Sequence, residues 1–265
     1  MEKKQKVVLI TGASSGIGLE TANFLSKKGY KVYSVSRREY LNDKFTNYIC
    51  DINNTAQFKE ILDKIYKIEG RLDLLVNNAG MGISGSIENT SEDKIEMIFQ
   101  TNLISLVKIS SISIEYLRKT KGRIINIGSV AGVIPLPFQA CYSSTKSAVE
   151  NFSSALDMEV RNFGMRVLCV RPGDTKTNFT NNRVKNEQEN DAFYSNRVKK
   201  SISKMERDEQ KGMKPISVSK LIYKMATRKN PPPVATVGFS NKLICVLAKF
   251  LPKRLVNYII KGIYG

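Results

Sequence analysis

The chain of 265 residues contains no histidine and no tryptophan. Without histidine, the chain cannot form a Ser-His-Asp triad, a Cys-His nucleophile or a metal site with imidazole ligands. Its four cysteines lack the spacing of metal ligands, so we expect reduced thiols in a reducing compartment and no metal site. They are Cys50, Cys141, Cys169 and Cys245.

Long hydrophobic runs are also missing. No stretch approaches the roughly 18 uncharged apolar residues of a membrane-spanning helix. The apolar residues 7–10, which follow a basic start, are too few for a signal peptide. Hydrophobic residues make up 42% and charged residues 25% of the chain, as in globular proteins. We therefore expect a cytoplasmic protein, for which one α/β domain of about 250 residues is an ordinary size.

Acidic residues are scarce toward the carboxyl end. The net charge is +18, and from residue 199 onward 15 lysines and arginines face only Glu206, Asp208 and Glu209. Such a balance favours an anionic partner, which can be a nucleic acid, an anionic membrane or an anionic ligand. The alternative is a lysine-rich surface that is simply well solvated. We expect no nucleic-acid partner.

Short runs rich in β-branched residues alternate with longer helical patterns, which predicts βαβ units and a parallel sheet. The strands are mostly apolar without alternation, as in a sheet covered on both faces. The fold prediction is an α/β, doubly wound, mostly seven-stranded parallel sheet in a single domain, 1–240, with ligands at the carboxyl ends of the strands. The predicted strands are 6–11, 31–36, 48–51, 72–77, 123–128, 166–171 and 234–237, and the predicted helices are 16–28, 55–69, 91–119, 141–162 and 217–228.

Two stretches interrupt this alternation. Residues 174–215 are polar and long for a connection, which is typical of a substrate lid or binding loop. Residues 241–265 form a basic extension without any acid. In it, one stripe of apolar residues (Leu255, Val256, Ile259, Ile260 and Ile263) opposes Arg254, Asn257 and Lys261, which predicts an amphipathic helix.

A glycine-rich turn follows the first predicted strand and opens the first helix. It has the spacing G-x-x-x-G-x-G at Gly12, Gly16 and Gly18, with Ser14 and Ser15 between the glycines. Glycines let a backbone approach a pyrophosphate, and a helix N-terminus offers free N–H groups to an anion. The turn therefore indicates a dinucleotide cofactor.

The end of the second strand bears on the choice of cofactor. An acid at this place binds the ribose 2′-hydroxyl of NAD, but here Ser36 is followed by Arg37 and Arg38. Guanidinium groups suit a phosphate, so we expect NADP(H) to be preferred over NAD(H). The alternatives are a solvated basic turn and a displaced acid at Glu39.

Tyr142 and Lys146 are spaced i, i+4, so on a helix they project from one face. A nearby ammonium favours a phenolate, so such a tyrosine can exchange a proton with a carbonyl or alcohol oxygen. Ser129 lies thirteen residues earlier, just after a strand, where its hydroxyl can bond a substrate oxygen. Asn102 lies in the preceding helix, where a buried amide could order a water molecule.

At this point the chain resembles the short-chain dehydrogenase/reductase family. The segments 11–18 and 77–80, Asp51, Asn102, Ser129, the Tyr142-x-x-x-Lys146 pair and Pro172-Gly173 follow the family's order and spacing over residues 6 to 177. The resemblance implies a Rossmann fold, an NAD(P)-dependent oxidoreductase, and a homodimer or homotetramer. Two positions depart from the family's usual residues: Ser105 replaces a glycine and Thr175 an aliphatic residue.

The resemblance also implies roles for single residues. Tyr142 would be the acid/base, Ser129 would hold the substrate oxygen, Lys146 would lower the pKa of the tyrosine and bind the nicotinamide ribose, and Asn102 would hold a water of the proton relay. The implied cofactor contacts are Gly12, Ser14, Ser15, Gly16, Ile17 and Gly18 at the phosphates, Arg37 at the 2′-phosphate, Asp51 and Ile52 at the adenine, Asn78, Ala79 and Gly80 at its ribose, and Pro172, Gly173, Thr175 and Thr177 at the nicotinamide.

The segment 133–138 is apolar and holds two prolines, so we expect it to favour a lipophilic ketone or alcohol. The extension 241–265 has three candidate roles: covering the substrate site, packing on a partner subunit, or lying on an anionic membrane. Two alternative functions remain. One is a 3-oxoacyl-carrier-protein reductase, although family members of that type end soon after the last strand. The other is a non-catalytic, nucleotide-sensing member of the fold.

Overall fold

The computed structural model describes residues 5–40, 43–185 and 193–265. The predicted seven-stranded parallel sheet is confirmed, with the strand order β3-β2-β1-β4-β6-β7-β9, and β5 and β8 pair separately. The strands are β1 Val7–Thr11, β2 Lys31–Ser36, β3 Thr46–Ile49, β4 Leu74–Asn77, β5 Ile83–Ser84, β6 Arg123–Ile127, β7 Arg166–Arg171, β8 Val184–Lys185 and β9 Val234–Thr236.

Helices cover both faces of the large sheet. They are α1 Gly16–Lys27, α2 Thr55–Glu69, α3 Glu92–Phe99, α4 Ser105–Thr120, α5 Ala140–Val160, α6 Ser195–Gln210, α7 Pro215–Thr227, α8 Phe239–Phe250 and α9 Lys253–Tyr264. A π-helical turn, Gln100–Ile104, joins α3 to α4. The predicted helix at 91–119 is therefore three segments in one continuous run.

Alternate residues of each strand enter two separate cores, because successive side chains of a strand point to opposite faces. Val7, Leu9 and Val35 pack with α2, α4 and α5, whereas Val8 and Ile10 pack with α1 and α7. Both faces of the strands are buried, which explains their continuous apolar sequences.

The chain order reverses at β1, which pairs with β2 on one side and with β4 on the other. In a doubly wound sheet, the loops after such neighbouring strands diverge and leave a crevice at their carboxyl ends. The loops after β1 and β4 are the glycine turn and the segment that begins at Asn78.

The loop predicted over 174–215 is in part wrong. It contains α6, and β8 pairs with β5 through Val184 and Ile83. Residues 186–192 of that stretch lie outside the described residues. The predicted boundary at 240 falls inside α8, and the predicted amphipathic helix is present as α9.

One segment, Glu92–Thr120, has the length and composition of a membrane-spanning helix, with 29 residues. It packs against α2 and α5, and its polar residues Asn102, Ser105 and Ser110 are buried in the protein. These contacts identify it as a core helix of the α/β domain.

Candidate active site

The glycine turn at the end of β1 depends on glycine at three places. Gly12 has φ +71° and Gly16 has φ +57°, values that side chains rarely adopt. A Cβ atom added to Gly18 would lie 2.3 Å from the carbonyl oxygen of Gly12, so α1 packs on the turn only with glycine there. The first turn of α1 carries no acid, which leaves its N-terminus available to an anion.

The loop after β4 is fastened to this turn. The hydroxyl oxygen of Thr11 accepts hydrogen bonds from the backbone N–H of Asn78 (3.1 Å) and Ala79 (3.0 Å). The side-chain amide of Asn78 donates to the carbonyl oxygens of Thr11 and Gly12. These bonds hold the two crevice loops in one geometry, so Asn78 orders the cradle of the cofactor.

The end of β2 presents two exposed guanidinium groups to the same crevice. The Ser36 hydroxyl donates to the carbonyl oxygen of Arg38 (2.8 Å) and to Oδ1 of Asn47 (2.9 Å), which fixes the backbone of the turn. Arg37 and Arg38 have no acid within ion-pair distance in the described ranges. Their charge is therefore available to a ligand phosphate.

Ser129, Tyr142 and Lys146 come together at the carboxyl end of β6. Ser129 follows the strand, its side-chain oxygen accepts from the backbone N–H of Ala131 (3.1 Å), and it lines the same cavity wall as Tyr142 on α5. The Lys146 ammonium donates to the carbonyl oxygen of Ile127 (2.8 Å) and lies 5.7 Å from the centre of the Tyr142 ring. The i, i+4 spacing therefore places both side chains beside Ser129, as predicted.

The titration of these groups differs from the expectation that Lys146 lowers the pKa of Tyr142. Burial raises the pKa of Tyr142 to about 12, although the nearby Ser129 hydroxyl and the positive charge of Arg183 act to lower it. Burial also lowers the pKa of Lys146 to about 8. At neutral pH the tyrosine is a proton donor and the lysine is still charged.

Asn102 lies in the π-helical turn, a feature common at functional sites. Its Oδ1 accepts from the backbone N–H of Met81 (2.8 Å), and its Nδ2 donates to the carbonyl oxygen of Met81 (2.9 Å). Nδ2 also lies 3.3 Å from Oγ1 of Thr145 on α5. Asn102 thus joins the loop after β4 to the catalytic helix, and its role in a proton relay stays a prediction.

One cavity of about 720 Å³ connects the crevice beside the glycine turn with Ser129, Tyr142 and Lys146. It is lined by Gly12, Ser14, Ser15, Gly16, Ile17, Arg37, Arg38, Asp51, Ile52, Asn78, Ala79, Gly80, Ser129, Tyr142, Lys146, Pro172, Gly173, Thr175 and Thr177. Of the predicted site residues, only Gly18 and Asn102 are not in its wall, because both are packed behind it.

The cavity continues into an apolar chamber that the sequence did not predict in full. The Phe179 ring packs against the Tyr142 ring with 5.7 Å between their centres. The carboxyl-terminal helices add Ile244, Ile259 and Ile260, and also Ile263 and Tyr264, to the wall. Residues of α9 line this chamber, so its position is compatible with the first of the three roles considered for the extension, which stays a prediction.

Two carboxylates, Asp174 and Glu209, also line the cavity. The negative charge of Glu209 is neutralised by an ion pair with the buried guanidinium of Arg183, and its carboxylate also accepts a hydrogen bond from the hydroxyl of Thr180 at 2.5 Å. Asp174 has no cation within 4.0 Å in the part of the chain that the structure describes. Asp174 is exposed at the cavity mouth, where partial desolvation and the charges of Glu209 and Asp208 raise the pKa of its carboxyl to about 6.

The sequence predicted a substrate lid or binding loop over 174–215, but it did not single out Phe179, Asp174 or Glu209 within it. They lie in the polar stretch that was predicted as a loop, far along the chain from Tyr142. The backbone of Asp174 is held there because its carbonyl oxygen accepts from the N–H of Met213 (2.9 Å). The four cysteines are free thiols, and in the described ranges no three His, Cys, Asp or Glu side chains are grouped as metal ligands.

Known proteins resemble this chain in sequence and in structure. The short chain dehydrogenase family model matches residues 6–188. A 3-ketodihydrosphingosine reductase from Bacteroides thetaiotaomicron is 37% identical, with 98% of each chain covered. A short-chain dehydrogenase structure from Streptomyces avermitilis superposes with a TM-score of 0.82 and 25% identity, covering 94% of this chain and 96% of the other.

A further structure, that of ElxO with NADP bound, has a TM-score of 0.72 and 28% identity, covering 88% of this chain and 97% of the other. The catalytic side chains, the glycine turn and these similarities agree on a nicotinamide-dependent enzyme acting on carbonyl or alcohol groups. The chain belongs to the short-chain dehydrogenase/reductase family.

Proposed function

We propose that the chain is an NADP(H)-dependent reductase of a lipophilic ketone. The observation that carries this proposal is one continuous cavity, which runs from the glycine turn past Ser129 and Tyr142 into the apolar chamber under α9. A cavity of this form holds a cofactor at one end and an apolar substrate at the other, with the proton donor between them.

The preference for NADP(H) rests on the end of β2. Arg37 and Arg38 line the cavity there without ion-pair partners among the described residues, and Ser36 stands where an acid would bind the ribose of NAD. A phosphate on that ribose would meet two guanidinium groups, which bind phosphate through paired donors. ElxO, a similar protein, binds NADP.

The catalytic side chains suit reduction. The glycine turn would hold the nicotinamide cofactor, which would supply a hydride for the carbonyl carbon. Ser129 and Tyr142 donate hydrogen bonds to the carbonyl oxygen, and Tyr142 transfers its proton there as the oxygen gains negative charge, which gives the alcohol. The charged Lys146 stabilises the phenolate until it is reprotonated. A tyrosine with a pKa near 12 holds its proton at neutral pH, which favours this direction.

The substrate that we propose is a long-chain ketone with an amino group next to the carbonyl. The relative with 37% identity is a 3-ketodihydrosphingosine reductase. The compound in that name, 3-ketodihydrosphingosine, is a long-chain ketone with an amino group next to the carbonyl. In the cavity, the isoleucines of α8 and α9 would contact the alkyl chain. The carboxylate of Asp174, which lacks a cation among the described residues, would pair with the ammonium group.

The test is cofactor consumption with NADPH and with NADH in parallel. The panel contains 3-ketodihydrosphingosine, a ketone of equal length without the amino group, and a 3-oxoacyl thioester. We expect turnover of the amino ketone with NADPH. Turnover of the thioester alone would replace the proposal by a 3-oxoacyl-carrier-protein reductase. NADPH binding without any turnover would favour a nucleotide-sensing member of the fold.

The control for this assay is Tyr142→Phe, which keeps the ring and removes only the proton donor. We expect this variant to bind NADPH as the wild type does and to lose at least about a hundredfold in turnover. Turnover within a few-fold of the wild type would contradict the role of Tyr142.

A further inference from the structure

Helix α8 turns an apolar stripe toward solvent. Phe239, Leu243, Val246 and Phe250 are spaced by four, three and four residues, which places them on one side of the helix. Phe239 is 83% exposed and Phe250 is 84% exposed. The opposite side of α8 is the one packed on the protein, through the buried Cys245. A surface helix normally carries polar residues where α8 carries these apolar side chains.

Helix α9, which follows α8 after two residues, also exposes apolar side chains. Leu255, Tyr258, Ile259 and Ile263 are also exposed. Eleven of the nineteen exposed large hydrophobic side chains among the described residues lie in α8, α9 and their connection. Apolar side chains scattered singly over a surface need no explanation, but a contiguous patch marks a contact with another molecule. We call it the α8–α9 face.

The charges carried by the segment 241–265 itself have one sign, whereas Asp208 on the neighbouring α6 accepts a hydrogen bond from Tyr264 at its end. Residues 241–265 contain five cations, Lys242, Lys249, Lys253, Arg254 and Lys261, and no acid. All five are exposed, and none is in an ion pair with a residue in the ranges that the structure describes. The occupant of this face therefore has apolar groups bordered by negative charge.

We propose that the α8–α9 face docks on an anionic lipid surface. Apolar side chains of an amphipathic helix enter the boundary between headgroups and acyl chains, while the flanking lysines and arginines bind anionic headgroups. The two exposed phenylalanines at the ends of α8 are suited to insertion, and four of the five cations lie within four residues of one of them in the chain. A bilayer with anionic lipid supplies both partners that this face needs, namely acyl chains for the apolar side chains and negative headgroups for the cations.

A second copy of the chain is the less suitable occupant. A two-fold interface pairs the same patch with itself, so it would bring the cations of two copies together. With no acid in residues 241–265, those charges would be desolvated without compensation. Charge complementarity thus favours the lipid surface.

The position of the cavity agrees with docking at this face. Ile244, Ile259 and Ile263 line the cavity and are also exposed on the α8–α9 face. A lipophilic ketone would therefore pass from the bilayer to Tyr142 along apolar side chains. This link to substrate entry rests on the proposed function, whereas docking itself does not.

The experiment is co-sedimentation of the full chain with vesicles of phosphatidylcholine, either alone or with about one third phosphatidylglycerol. We expect binding to the anionic vesicles only, weakened by about 0.5 M salt because salt screens the charges. The double variant Phe239→Ser/Phe250→Ser removes two exposed rings outside the cavity wall and should weaken binding by roughly tenfold or more. Lys249→Glu/Lys253→Glu should do the same.

Matched controls are Ile68→Ser and Lys31→Glu/Lys67→Glu, which change exposed residues on other surfaces. These variants should bind vesicles as the wild type does, and so should Tyr142→Phe, which makes the result independent of turnover. Equal binding by the wild type and the Phe239/Phe250 variant would overturn the proposal. So would a dimer in analytical ultracentrifugation that this variant dissociates, since the face would then belong to a second copy.

Discussion

The ammonium nitrogen of Lys146 lies 2.8 Å from the carbonyl oxygen of Ile127, the last residue of β6. This hydrogen bond joins the catalytic helix to the strand that ends beside Ser129. The bond is buried, and burial lowers the pKa of Lys146 to about 8. The protein therefore keeps a charge at the site that is unfavourable for folding.

The first prediction concerns that charge. Replacing Lys146 by Met should abolish turnover and stabilise the fold at pH 7, because keeping the ammonium charged in its buried site costs up to about 3 kcal/mol. Loss of the bond to Ile127 offsets about 1 kcal/mol of this gain. The measurement is urea unfolding of both proteins.

The pH dependence of this effect has a defined sign. In the unfolded chain Lys146 keeps its proton up to the ordinary lysine pKa of about 10.5, whereas burial lowers the pKa of folded Lys146 to about 8. The unfolded state thus binds more protons in this window, and the wild type gains stability as pH rises from 8 to 10.5. The advantage of Lys146→Met should shrink over the same window. If the stability gain of Lys146→Met stayed constant from pH 8 to 10.5, the buried charge of Lys146 would not be its cause.

The second prediction concerns the contact between α1 and the glycine turn. Gly18→Ala would place a methyl group 2.3 Å from the carbonyl oxygen of Gly12, so the helix must move away from the turn. We expect NADPH affinity, measured by fluorescence titration, to fall by about tenfold or more, since the backbone donors are displaced. Gly262→Ala in α9 meets no atom within 4 Å and should leave that affinity unchanged.

The third prediction concerns cofactor choice. Arg37→Asp should lower the ratio of kcat/KM for NADPH to that for NADH by about ten- to a hundredfold, because a carboxylate repels the 2′-phosphate and accepts from the ribose hydroxyls. Lys67→Asp, an equal charge change on α2, is the control. An unchanged ratio in Arg37→Asp together with a changed ratio in Arg38→Asp would assign the role to Arg38.

The fourth prediction concerns Asp174. Its pKa is raised to about 6, so the carboxylate is charged above that pH and neutral below it. With the wild type, KM for the amino ketone should rise as pH falls through about 6, while KM for the ketone without the amino group stays constant. Asp174→Asn should show the high KM at all pH values. An equal effect on both ketones would exclude pairing between Asp174 and the ammonium group.

The sequence predicted those parts of the site that lie close together in the chain. The glycine turn, the pair of Tyr142 and Lys146, and Ser129 after its strand follow from spacing and strand–helix alternation. Helix α6 was missed because its buried apolar stripe is only Val198, Ile202 and Met205, within a strongly charged segment. The i, i+4, i+7 spacing of these three residues is the pattern in the sequence that indicates the helix.

Spacing and residue type thus determined the fold class and the position of the crevice by themselves, and they predicted Tyr142 as the proton donor, because backbone geometry over a few residues sets these features. Only the tertiary structure decided which residues form the substrate chamber. Phe179, Asp174 and the isoleucines of α9 meet Tyr142 through contacts between distant segments, which no local pattern encodes. The tertiary structure also decided the pKa values of Tyr142 and Lys146, because desolvation depends on everything packed around a group.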